Sequence, residues 1–137
     1  MRVYVDTSAL LRRVLATDAH ALAAERYLAG RHAAGDTLES SVLARIETER
    51  ALRARRLPDG YDLAAAVDAA LAGLEIVALT EEVAHTAAAI GPDVLRSLDA
   101  IHVATAQLDQ VDALVTYDRR QAAAAAANGL TVVTPDA

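Results

Sequence analysis

Arg2-Val3-Tyr4-Val5-Asp6-Thr7-Ser8-Ala9-Leu10-Leu11 carries a β-prone run directly into a helix-prone one. Val3, Tyr4 and Val5 are β-branched or aromatic, the residue types that fit a pleated, buried surface. Thr7 or Ser8 can cap the helix suggested by Ala9, Leu10, Leu11, Val14 and Leu15. A strand that feeds straight into a helix opens a βα unit, and the rest of the chain repeats the alternation. Asp18 opens a helical stretch to residue 33, closed by Gly35-Asp36, and 37–41 reads as a second strand. Helical stretches at 42–56 and 63–74 flank the turn Leu57-Pro58-Asp59-Gly60, and 75–79 is a third strand. Thr80 caps the next helix, with Glu81 or Glu82 near the capping-box position, and Gly91-Pro92 breaks it. The stretch 98–108 is apolar on nearly every side, as in a helix buried against a sheet. A fourth strand at 113–117, a helix at 119–128 stopped by Asn128-Gly129, and a fifth strand at 130–133 complete the pattern. Strands separated by helices imply right-handed crossovers and a parallel sheet covered on both faces, an α/β fold.

Composition narrows the function. The 137 residues are the size of one domain, so residues 1–137 are expected to form a single one. Hydrophobic residues make up 54% of the chain, yet no run approaches the roughly 18 apolar residues that a membrane span requires. The amino terminus places Asp6 where a secretory signal would still be apolar, so a cytoplasmic location is expected. Cysteine is absent, which excludes disulfide scaffolds, thiolate zinc sites and cysteine nucleophiles. All 13 basic residues are arginine, which excludes Schiff-base and P-loop lysine chemistry. A net charge of −6 argues against coating nucleic acid by bulk attraction and leaves room for a local basic patch.

Ligands of open parallel sheets gather beyond the carboxyl ends of the strands, where strand order reverses. Asp6 ends the first strand and Asp118 follows the fourth, so both carboxylates fall on that edge; singly, each could equally be a helix cap. Glu47, at about 100° per residue, projects between Leu43, Ala51 and Ala54 on the apolar side of its helix, where an uncompensated charge is costly. Glu49 instead faces Arg45 and Arg53 as an ordinary surface pair. Asp99 lies in the most apolar helix, with an amino-terminal cap as its plain alternative role. His102 on that helix reads as a hydrogen-bonded core residue, and no histidine pair has zinc-ligand spacing.

Taken in order, Val5-Asp6-Thr7-Ser8-Ala9-Leu10, Ala44-Arg45-Ile46-Glu47, Leu98-Asp99-Ala100-Ile101-His102-Val103-Ala104-Thr105-Ala106 and Val115-Thr116-Tyr117-Asp118-Arg119-Arg120 resemble a PIN domain, specifically a VapC-type toxin ribonuclease. The resemblance implies a three-layer α/β/α fold around a five-stranded parallel sheet of order 3-2-1-4-5. It implies an acidic quartet of Asp6, Glu47, Asp99 and Asp118, and polar positions Thr7, Ser8 and Thr116 that orient a ligand or water. It also implies a homodimer and a VapB-type antitoxin partner.

Four carboxylates converging within a few ångströms repel one another unless a cation joins them. Oxygen-only ligation suits Mg²⁺ or Mn²⁺, and a coordinated water of lowered pKa is then set to hydrolyse an RNA phosphodiester. Asp99 is the guessed proton acceptor. Setting the four acids aside leaves 15 acidic residues against 13 arginines, a nearly neutral body on which RNA is held by local arginines. The candidates are Arg12, Arg13, Arg45, Arg50, Arg53, Arg55, Arg56, Arg119 and Arg120, with Arg119 and Arg120 expected nearest a bound phosphate. With no Phe or Trp, a folded RNA recognised by shape fits better than base-by-base reading, and transfer RNA and a ribosomal RNA loop fit equally. The rival readings are a catalytically silent PIN-fold module that binds RNA or protein, and an α/β phosphatase-like enzyme. The latter lacks a second aspartate two positions after Asp6.

Overall fold

The computed structural model describes residues 1–15 and 19–136, with order β1 (Arg2–Val5), α1 (Thr7–Arg12), α2 (Ala19–Ala33), β2 (Thr37–Ser41), α3 (Val42–Arg53), α4 (Leu63–Leu71), β3 (Leu74–Val77), α5 (Glu81–Ala89), α6 (Ser97–Leu108), β4 (Ala113–Val115), α7 (Arg119–Ala127) and β5 (Val132–Val133). The expected opening of the second helix at Asp18 lies outside the described residues. All four strand pairings are parallel, and the sheet order is β3-β2-β1-β4-β5, as expected. Strand order reverses between β1 and β4, whose ends lie side by side in the register Val5↔Val115.

Alternation along β1 sends successive side chains to opposite faces. Val3 and Val5 join Leu38, Val115 and residues of α1, α2 and α3 (Ala9, Leu10, Leu28, Ala44) in one core. Tyr4 and Leu114 face the other way and pack with Val103 and Ala106 of α6 and Ala124 and Ala125 of α7. The sheet is thus covered on both sides, and its middle strand carries fully buried side chains on each face. Tyr4 is the consequential one, since its hydroxyl points into the layer that carries Asp99 and His102.

Element ends are shorter than expected where side chains take over backbone groups. The fourth strand stops at Val115 because the Tyr117 N–H donates to Ser8 Oγ (2.8 Å) and the Asp118 N–H to Thr116 Oγ1 (3.0 Å). Helix α1 ends at Arg12, and Arg13 donates to the carbonyls of Ala70 and Ala72 and to Glu25. Gly73, at φ +78°, ends the α4 segment, so Leu74 becomes the first residue of β3 rather than the last of a helix. Asn128-Gly129 stops α7 as expected. Gly129 adopts φ +81°, its N–H donates to Ala126 and that of Leu130 to Ala125, a Schellman arrangement. Among the described residues no helix is long and apolar enough to cross a membrane.

Candidate functional site

The four acids reach the carboxyl edge of the sheet on four different elements. Asp6 follows β1 directly and caps α1. Its Oδ1 accepts from the Ser8 N–H (2.8 Å), Ser8 Oγ (2.6 Å) and the Ala9 N–H (3.3 Å), and its Oδ2 from Thr116 Oγ1 (2.7 Å). Asp118 caps α7, its Oδ1 accepting from the N–H groups of Arg120 (2.8 Å) and Gln121 (3.2 Å). Both the capping role and placement at the strand-order reversal therefore hold for the same two residues. Glu47 comes from α3 and Asp99 from the first turn of α6. Asp99 is not the helix cap: Arg96 occupies that position and makes no capping bond with its side chain.

Glu47, Asp99 and Asp118 line one cleft of about 280 Å³ together with Arg96, Ser97, Leu98 and Arg120. Asp6, only 4% exposed, is not among the residues that line it. The carboxylates are less tightly gathered than the expected convergence within a few ångströms. Among the described residues no three His, Asp or Glu side chains form a closed metal-binding group. The reason is visible in their partners: Asp6 and Asp118 are held by helix N–H groups, and Glu47 is drawn to His102 and Thr7.

Electrostatics distinguishes the four. Burial pushes the Asp6 carboxyl above its ordinary value, against the hydrogen bonds from Ser8 and Thr116. Asp99 is also raised, by burial first and then by the charges of Asp118 and Glu47, with His102 and Arg120 opposing. Its carboxylate receives no hydrogen bond among the described residues. Burial acts to raise Glu47 as well, but the bonds and charge from His102 and Thr7 outweigh it and hold that carboxyl below its ordinary value. The His102 ring joins this site to the core: its Nε2 lies 2.6 Å from Glu47 Oε1 and its Nδ1 2.6 Å from Tyr4 Oη.

Thr7, Ser8 and Thr116 are occupied in holding carboxylates rather than left free to orient a ligand. Thr7 Oγ1 donates to Glu47 Oε1 at 2.8 Å, while Ser8 and Thr116 serve Asp6. Of the arginine pair, Arg120 lines the cleft and Arg119, also exposed, is not among its lining residues. Arg96 takes the second place at the rim, a residue the sequence reading passed over even though it stands three positions before Asp99. Arg13 is committed to the carbonyls that follow α4, and Arg12 lies over the Tyr117 ring at 4.2 Å. Glu49 pairs with Arg53 on the surface at 3.6 Å, as expected.

The donor set is oxygen-only, with the Asp99 carboxyl raised by burial and by the charges of Asp118 and Glu47, around a cleft that has room for water. Such a set fits a hard divalent cation that keeps part of its hydration, Mg²⁺ or Mn²⁺, and offers nothing to a soft one.

Residues 3–128 match the PIN domain family model. Two proteins of Mycobacterium tuberculosis are similar over nearly the whole chain. Ribonuclease VapC47 is 35% identical, with 98% of each chain covered, and ribonuclease VapC46 is 38% identical, with 97% of each. Among solved structures, VapBC2 from Rickettsia felis, bound to a DNA fragment from their promoter, superposes with a TM-score of 0.78 at 14% identity, covering 99% of this chain and all of that one. At that identity the likeness concerns the fold.

Proposed function

The chain belongs to the PIN-domain family and, within it, to the VapC ribonucleases; from that premise we propose that it is the metal-dependent endoribonuclease toxin of a type II toxin–antitoxin pair, with Asp6, Glu47, Asp99 and Asp118 as its catalytic carboxylates. One observation carries the site assignment. Asp99, raised by its burial and then by the charges of Asp118 and Glu47, stands in the cleft and its carboxylate receives no hydrogen bond among the described residues. A helix-capping or surface role leaves that arrangement without a purpose, whereas a cation removes the conflict.

Mg²⁺ or Mn²⁺ held by these acids would supply a water of lowered pKa and neutralise charge at the phosphorus centre. The remaining work falls to the chain. Asp6 is held rigidly by four hydrogen bonds at the carboxyl end of β1. Asp118 is held by one oxygen at the start of α7. Asp99, with a carboxyl above its ordinary range, accepts the proton of the attacking water. Arg96 and Arg120 at the rim meet the RNA phosphates. A VapB-type antitoxin is the partner proposed with this reading, together with a homodimer. The RNA is a folded one, a transfer RNA or a ribosomal RNA loop, because the four tyrosines are the only aromatic side chains among no Phe and no Trp. Cleavage of such RNAs with added Mg²⁺ or Mn²⁺, by the wild type and by Asp6→Ala and Asp99→Ala, tests the proposal. Loss of cleavage in both variants is expected, and undiminished cleavage by both would refute the site.

A further inference from the structure

Glu47 is held asymmetrically. Its Oε1 receives two partners, Thr7 Oγ1 at 2.8 Å and His102 Nε2 at 2.6 Å, while no hydrogen bond reaches Oε2 among the described residues. His102 is 3% exposed, and its other nitrogen meets Tyr4 Oη, which in turn receives the Ser41 N–H at 3.2 Å. Direction along this chain follows from the groups themselves. The Ser41 amide can only donate, so Tyr4 accepts from it. The Tyr4 phenol keeps its proton at neutral pH and donates it to His102 Nδ1. The Nε2–H then points at Glu47. In that orientation every polar group from the β2 backbone to the carboxylate has a partner.

We propose that His102, its tautomer fixed by Tyr4, is a positioning residue that locks Glu47 Oε1 and thereby presents Oε2 to the cation in the cleft. This rests on the metal-dependent reading of the site given above. A glutamate on a helix has several rotamers of similar energy, and a partly exposed one samples them unless something selects. Here the selection is anchored in the least mobile part of the molecule. Tyr4 is fully buried on the central strand, and Ser41 ends its neighbour β2. His102 lies on α6 three residues after Asp99, so the helix that brings Asp99 to the cleft also brings the group that aims Glu47. Two of the four carboxylates are thereby set by one helix. Hydrogen bonds that orient metal-binding carboxylates typically change metal affinity or activity by about 10- to 100-fold when removed.

The test is Mn²⁺ affinity of the full chain, measured by calorimetric titration below the melting temperature, for the wild type, His102→Leu, His102→Gln and Tyr4→Phe. His102→Leu is expected to weaken Mn²⁺ by about 10- to 100-fold. His102→Gln keeps an N–H near the Nε2 position and should recover most of that loss. Tyr4→Phe removes the proton donor that fixes the tautomer and should fall between them. In a Glu47→Ala background, His102→Leu should cost no further affinity. Turnover should fall with RNA KM unchanged. A His102→Leu protein that melts lower but binds Mn²⁺ like the wild type would overturn the proposal and leave His102 a core residue. If that variant does not fold, His102→Gln and Tyr4→Phe carry the same comparison: equal Mn²⁺ affinity in both and the wild type overturns it. A wild type that binds no Mn²⁺ would instead overturn the metal-dependent reading itself.

Discussion

Asp6 offers the sharpest separation of function from stability, through the pair Asp6→Asn and Asp6→Ala. Its carboxylate is 4% exposed and pushed by burial above its ordinary range. A carboxyl whose folded pKa exceeds its unfolded one favours the folded state most when protonated. Its charge therefore destabilises the fold as pH rises above the unfolded value near 4. Asparagine removes that charge but keeps an oxygen for the Ser8 and Ala9 donors that cap α1, and the Thr116 hydroxyl can rotate to accept from the new amide. Alanine removes everything. It forfeits a helix cap, about 1 kcal/mol, and leaves the Ser8 and Thr116 hydroxyl protons without their acceptor, about 1–3 kcal/mol more. Urea unfolding at pH 7.5 in the presence of a chelator should thus place Asp6→Asn at or above the wild type and Asp6→Ala about 2–4 kcal/mol below it. Adding Mn²⁺ should raise the wild type alone, and neither variant should cleave RNA. An Asp6→Asn protein as unstable as Asp6→Ala without metal would refute the claim that the buried charge is a cost carried for function.

Asp99→Asn relieves repulsion from Asp118 and Glu47, so its melting temperature without metal should match or exceed the wild type. Its RNA turnover should fall about 100- to 10,000-fold, as for loss of a proton acceptor. Arg96→Ala and Arg120→Ala should raise KM for RNA and each reduce the salt dependence of binding by about one phosphate contact, measured as the slope of log affinity against log salt. Far from the site, burial raises the Glu39 carboxyl to about 7, against its 2.6 Å bond from Arg2. Ionisation of a raised carboxyl opposes folding, so stability should decline between about pH 4.5 and 7, and Glu39→Gln should flatten that slope in thermal melts.

The alternation of strands and helices and the candidate acids were legible because both leave local signals, whereas the strand order and the grouping of the acids came only with the family resemblance. The run from Val3 to Leu11 announces a βα unit, and the carboxylates follow strands or occupy apolar helical faces. The same local signals left the capping and ligand roles of Asp6 and Asp118 undivided, and the structure shows why: one carboxylate can cap a helix and stand at the strand-order reversal at once. The partners across the sheet were not legible. That Tyr4 faces α6 depends on which side of β1 that helix covers, and the link from Ser41 through Tyr4 and His102 to Glu47 joins four elements. Arg13 resembled an RNA contact because its competing carbonyls lie 57 and 59 residues away. The hydroxyls of Thr7, Ser8 and Thr116 are taken by the carboxylates of Glu47 and Asp6, which polar residue type alone does not reveal.

The most direct test of the metal-dependent site is anomalous diffraction from crystals of the wild-type protein soaked in Mn²⁺. A manganese peak is expected in the cleft bounded by Glu47, Asp99 and Asp118, and no such peak in Asp99→Asn crystals. Manganese bound only elsewhere on the surface, with the cleft left to water, would contradict it.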